Sequence, residues 1–111
     1  MSLNRFAKKR DKNEPEIIET FKKSGFSVES LDTPCDLIVG YGKSSYLVEV
    51  KTTTGKLTKR QKDFVKDWKG DYFVVRTIDE ANTLVKWIKN NRIGEVISNQ
   101  QTIHSAMRDT F

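Results

Sequence analysis

Between Pro34 and Lys51 two apolar runs, Leu37-Ile38-Val39 and Tyr46-Leu47-Val48, flank a Gly42-Lys43 pair, with charge planted at their ends. Short apolar runs bounded by turn residues read as strands. A tight connection at Gly42-Lys43 makes them a hairpin. Strand side chains alternate, so Glu49 and Lys51 share one face while Val48 and Val50 share the other. The hairpin also brings Asp36 beside Glu49 and Lys51. Two carboxylates and an ammonium at one spot are unfavourable unless something uses them. A divalent cation uses the carboxylates, and a phosphate uses the lysine.

The flanking sequence predicts a helix on either side of further strands. Asn13 is read as the cap of a first helix opening Glu14-Pro15-Glu16, since proline and acids suit a first turn. Ile17, Ile18 and Phe21 form its buried stripe and Gly25 ends it. Phe26 to Leu31 alternates as a strand, and the unbroken run Leu37–Val39 predicts a central one. Tyr46–Lys51 is the next strand, closed by the loop Thr52-Thr53-Thr54-Gly55. Thr58 is expected to cap a second helix with Phe64, Val65 and Trp68 on its apolar face and Gly70 as its stop. Tyr72–Arg76 reads as a fourth strand. Asp79 is expected to cap a third helix whose core face is Ala81, Leu84, Val85 and Ile88. The order αβββαβα predicts an α/β fold with a small mixed sheet flanked by helices. Residues 1–12 form a basic arm (Arg5, Lys8, Lys9, Arg10, Lys12), 13–92 the domain, and 93–111 an extension read as a helix, a dimer arm or a frayed tail.

Length fits one domain, at 111 residues. No apolar run approaches the ~18–20 residues of a membrane helix, and no apolar signal core opens the chain. These features predict a cytoplasmic protein with no membrane partner. One cysteine, Cys35, excludes an internal disulfide and a multi-cysteine zinc site, and His104 is the sole histidine. Neither is assigned a catalytic role, because no Ser-His-Asp or Cys-His arrangement can be assembled around them. Any metal must therefore be held by oxygen, which favours magnesium, with manganese as a substitute. The net charge of +5 suits a polyanionic partner.

Phosphodiester hydrolysis needs carboxylates that hold a metal and a cation that steadies charge on the phosphate. Asp36 and Glu49 can supply the cage, with the backbone carbonyl of Val50 as a further ligand. Lys51 is placed for the cationic role, and the neighbouring acids keep it charged. Glu14, one turn before Ile17 and Ile18, can complete the site from the helix, directly or through a water. Gln61 has three readings: a bond to the scissile phosphate, a bond to a carboxylate, or exposure to water. Lys51, Lys56, Lys59, Arg60, Lys62, Lys66 and Lys69 crowd the loop and second helix, a surface equally readable as phosphate-contacting or merely solvated. Trp68 and Trp87 are assigned to the core. A Glu-x-Lys alone is also the pattern of a salt-bridged surface; Asp36 at hairpin distance is what sharpens it.

Asp36, Glu49-Val50-Lys51 and the helix carrying Glu14 resemble the PD-(D/E)xK nuclease superfamily, whose core is the restriction-endonuclease-like fold. More narrowly the chain is similar to the small stand-alone VRR-NUC nucleases of bacteriophages. The segments that carry the likeness are Asn13–Ile18, Ser24–Val28, Asp36–Gly40, Tyr46–Lys51, Leu57–Phe64 and Val74–Ala81. Order and spacing also resemble archaeal Holliday-junction-resolving enzymes. The resemblance implies a magnesium-dependent endonuclease on branched DNA, working as a homodimer inside a bacterial host. It places Asp36, Glu49 and Lys51 at the catalytic positions and Gln61 at a recurrent helix glutamine. The helix acid is Glu14 by comparison with the resolving enzymes and Glu16 by comparison with many phage relatives. The chain departs from the motif in one place, where Cys35 separates Pro34 from Asp36. Two other readings remain: an inactive nucleic-acid-binding module of a replication or packaging complex, and an RNA-directed nuclease.

Overall fold

The computed structural model describes residues 11–92. Along them run α1 (Glu14–Lys23), β1 (Ser27–Ser30), β2 (Leu37–Tyr41), β3 (Ser44–Val50), α2 (Lys59–Asp67), β4 (Tyr72–Val75) and α3 (Ile78–Arg92). The strands form one mixed sheet in the order β1-β2-β3-β4. The first three pair antiparallel, and β4, returning through α2, pairs parallel to β3. The expected αβββαβα order is therefore the observed one, and β2 is central as its apolar run implies. Residues Arg5, Lys8, Lys9 and Arg10 of the basic arm, the extension 93–111 and His104 lie outside the described residues.

The β2–β3 hairpin turns where the sequence places it. Gly42 and Lys43 take φ values of 56° and 72°, the paired positive values of a type I′ turn, whose twist matches that of the strands. Tyr41 and Ser44 close it as partners. Helix α1 ends at Gly25 (φ 91°). The N–H of Gly25 donates to the Lys22 carbonyl and that of Phe26 to Phe21, each at 3.1 Å, which is the Schellman arrangement. Helix α2 opens with a full capping box: Thr58 Oγ1 accepts from the Gln61 N–H at 3.2 Å, and Gln61 Oε1 accepts from the Thr58 N–H at 2.8 Å.

Three expected helix boundaries are corrected. Asn13 makes no side-chain cap bond to α1; its amide is drawn instead to carbonyls of the sheet. Asp79 does not cap α3. Thr77, the residue before its first turn, accepts from the Glu80 N–H at 3.1 Å, which leaves Asp79 in the first turn where its charge suits the dipole. Helix α2 stops at Asp67 with Trp68 already extended, ahead of Gly70. A Cβ on Gly70 would lie 2.9 Å from the Trp68 indole nitrogen, so that glycine makes room for the ring.

The sheet has two unlike faces. On one, α1 and α3 pack Ile17, Phe21, Ala81, Leu84 and Ile88 against Leu37, Val39, Val48, Val50, Phe73 and Val75. Trp87 is buried there, edge-on to Phe73 at 5.4 Å. On the other, Cys35, Leu47, Leu57, Tyr72 and Val74 form a smaller cluster roofed by half-buried Phe64 and Val65. No residue of α2 is fully buried. Trp68 is 42% exposed, which corrects its assignment to the core. It lies beyond the last turn of α2, stacked on Phe64 at 5.2 Å, with its Nε1 donating to the Asp71 carbonyl at 3.2 Å. Among the described residues no helix is long and apolar enough to cross a membrane.

Candidate active site

The β2–β3 ladder stops at the pair Leu37↔Val48. One step further, the same register sets Asp36 opposite Glu49. Asp36 leaves the ladder there, and its side chain continues it: Oδ2 accepts the Val50 N–H at 2.7 Å. Its backbone carbonyl accepts the Leu31 N–H at 2.7 Å, tying the same residue to the end of β1. In a strand the N–H and C=O of one residue point to the same side. The Val50 carbonyl therefore also faces the Asp36 side, past the end of the ladder.

Glu49 lies on the face that carries Leu47, under α2. It is 2% exposed and Asp36 is 5% exposed. Glu49 Oε2 accepts from Gln61 Nε2 at 3.0 Å and faces Lys51 Nζ at 3.6 Å. Of the three readings of Gln61, the bond to a carboxylate is the one the structure has. The glutamine's carbonyl end is fixed by the capping box, so its amide end is aimed at Glu49. One side chain thus joins the helix start to the charged cluster. The Lys51 side chain keeps 15% of its surface exposed, so its ammonium faces both Glu49 and solvent.

Glu14 is buried, at 3% exposure, while Glu16 is in solvent. The inward acid of α1 is thus Glu14. It starts the helix that packs on the opposite, apolar face. Among the described residues no three or more His, Cys, Asp or Glu side chains gather as a metal-holding group, and Asn13, next to Glu14, donates to the Lys51 carbonyl, so the start of α1 adjoins this end of the sheet. The donors at the sheet face are two carboxylates and a backbone carbonyl, all oxygen. Such a set fits magnesium, which keeps several waters and is commonly held by one or two carboxylates plus substrate phosphate.

The charge of the cluster is felt by its neighbours. Burial pushes the Cys35 thiol up to about 11, and the negative charges of Glu49 and Asp36 add to the shift. Burial, and then Glu49, hold the Tyr72 phenol well above its usual value. Both groups are neutral near pH 7. Cys35, protonated and buried, is no nucleophile.

Two residues that the sequence reading did not place at the site hold its end of the sheet together. Asn13 Nδ2 donates to the Lys51 carbonyl at 3.0 Å and to the Arg76 carbonyl at 2.9 Å, clamping α1 to the ends of β3 and β4. Arg76 donates through one guanidinium nitrogen to the carbonyls of Thr52 and Gly55, folding the loop after Lys51 back on itself. Its N–H donates to Glu80 at 2.7 Å. The sequence signal for Asn13 was read as a cap because Asn before an acidic first turn is a capping pattern. Nothing local distinguishes that role from a contact 38 residues away.

No family model, curated protein or solved structure matches the chain.

Proposed function

We propose that this chain is a magnesium-dependent, structure-specific DNA endonuclease of the PD-(D/E)xK type. In this reading it hydrolyses phosphodiesters in branched DNA, four-way Holliday junctions included, and works as a homodimer. The observation that carries the reading is the charged cluster at the ends of β2 and β3. Two buried carboxylates from adjacent strands are held in place by a backbone N–H and a glutamine amide, with one lysine beside them. Buried acids set side by side are poor for stability and useful for chemistry.

Asp36, Glu49 and the Val50 carbonyl would hold the metal, which when bound polarises a phosphoryl oxygen and acidifies a water. Asp36 is pre-set by the Val50 N–H, so its second oxygen is oriented before substrate arrives. Glu49 is oriented by Gln61. Lys51, which faces Glu49 at 3.6 Å, presents its ammonium to the phosphate and stabilises negative charge as it builds. Asn13 fixes the Lys51 carbonyl and Arg76 the loop that follows it. In the reaction a water oxygen bonds to phosphorus and the bond to the 3′ oxygen breaks, leaving a 5′-phosphate and a 3′-hydroxyl. Lys56, Lys59, Arg60 and Lys62, in the loop and helix that follow Lys51, are exposed and suit backbone phosphates, which position a duplex without reading it.

The test is cleavage of an end-labelled four-way junction, with linear duplex as control, in magnesium and in EDTA, for the wild type and Asp36→Asn. Junction-selective cutting that needs both magnesium and Asp36 supports the reading. Tight, metal-independent junction binding without cutting would replace it with the binding-module alternative. Equal cutting of duplex would keep the nuclease and discard junction selectivity. Preference for RNA junctions would move the substrate class.

A further inference from the structure

Beside the charged cluster lies a cavity of about 410 Å³ that the chemistry above does not use. It opens between the β1–β2 loop and the first turns of α2, and is lined by Asp32, Thr33, Pro34, Thr58, Arg60, Gln61 and Phe64. Gln61 is a wall shared with the site, since the same side chain donates to Glu49. We propose that this cavity is a subsite for one unpaired nucleotide of the DNA strand whose phosphodiester lies at Asp36 and Glu49. The proposal rests on the nuclease reading and specifies its substrate: branched DNA with an unpaired base next to the cut.

The lining matches such an occupant in kind. Phe64 supplies an aromatic surface and is itself backed by Trp68 at 5.2 Å and Tyr72 at 5.8 Å. A ring held on two sides is a stiff platform, and base–aromatic stacking is tolerant of base identity. Arg60 is exposed at the rim and suits the nucleotide's phosphate or the base plane. Asp32 and the hydroxyls of Thr33 and Thr58 offer acceptors for exocyclic amines, of the kind that read cytosine and adenine edges. A bare phosphate would be repelled by Asp32. A base carried on a phosphate uses both kinds of wall. Because unpaired bases at a branch point need no unstacking energy, they enter such a cavity most readily.

The experiment uses four-way junctions that differ in one position next to the crossover, where 2-aminopurine is either paired or unpaired. Emission is followed as protein is added in EDTA, which reads the subsite without cutting. Cleavage of both junctions is then compared in magnesium. For the wild type, emission from the unpaired 2-aminopurine should fall on binding, and kcat/KM should favour the unpaired junction by about five-fold or more, the worth of one stacked base. Phe64→Leu, which keeps the apolar packing, should erase that ratio while still cutting the paired junction. A purely structural role for Phe64 would lower both rates together and leave the ratio standing. An unchanged emission, or equal cutting of the two junctions by wild type and variant, overturns the subsite and leaves the nuclease intact. Absence of cutting from either junction in magnesium overturns the nuclease reading instead, and the emission result then decides the subsite alone.

Discussion

The two faces of the sheet solve different problems with the same strands. The face under α1 and α3 is a continuous apolar layer in which Ile17, Phe21, Leu37, Val48, Phe73, Val75 and Ile88 are all fully or almost fully buried. The face under α2 is thinner, has no fully buried helix residue above it, and carries Asp36 and Glu49 inside. Alternation along β3 builds both at once: Val48 and Val50 serve the first, while Leu47 and Glu49 serve the second. The contrast is between a face that is apolar throughout and one that holds buried charge. One face is packed for burial. The other gives up part of its burial to hold charge next to solvent.

The comparison breaks most visibly if charge on the α2 face can be removed without loss. Asp36→Ala and Lys51→Ala are each expected to lower the cutting rate by about a hundred-fold or more, measured on junction DNA with circular dichroism confirming the fold. On the other face, Phe21→Ala should destabilise by about 3–5 kcal/mol, read from denaturant melts, with rates at saturating substrate little changed in the folded fraction. The two tryptophans sharpen the same contrast. Trp87→Ala should cost about as much as Phe21→Ala, whereas Trp68→Ala, at an exposed position, should cost under about 1 kcal/mol. Asn13→Ala removes two bonds that hold Lys51 and Arg76, and should lower kcat by about ten-fold, of the order of an unsatisfied buried group or two, without weakening junction binding. The last effect is the alkaline one. The Cys35 thiol loses its proton near 9 in the unfolded chain and near 11 in the folded one. Between those values the unfolded state binds fewer protons, so stability falls as pH rises. Thermal melts from pH 8 to 11 should show that decline, and Cys35→Ala should lessen it, the buried Tyr72 phenol supplying the rest.

Much of the architecture could be read from the sequence because its signals were local. Gly42-Lys43 needed only the two runs beside it, Gly25 only the helix before it, and Thr58 only Gln61 three residues on. The failures share a cause. Asn13 and Asp79 both look like caps, but Asn13 is recruited by carbonyls of Lys51 and Arg76, and Thr77 takes the place given to Asp79. Trp68 follows Phe64 at helical spacing, yet the helix ends before it can face the sheet. The cluster of Asp36, Glu49 and Lys51 followed from strand alternation plus one hairpin. The opposite burial of Glu14 and Glu16 also follows helical geometry, since Glu14 continues the stripe of Ile17 and Phe21. Gln61 could be placed near the site, but its bond to Glu49 depends on how α2 sits on the sheet, which no local pattern states.

The measurement that bears most directly on this division of labour is made on Glu49→Gln, an isosteric change that removes one buried charge. Junction cutting in magnesium and thermal stability would be recorded on the same preparation. The account predicts cutting lost and the melting temperature unchanged or raised, because the charge serves chemistry rather than the fold. Wild-type cutting by the variant, or a melting temperature that collapses with the charge, would contradict it.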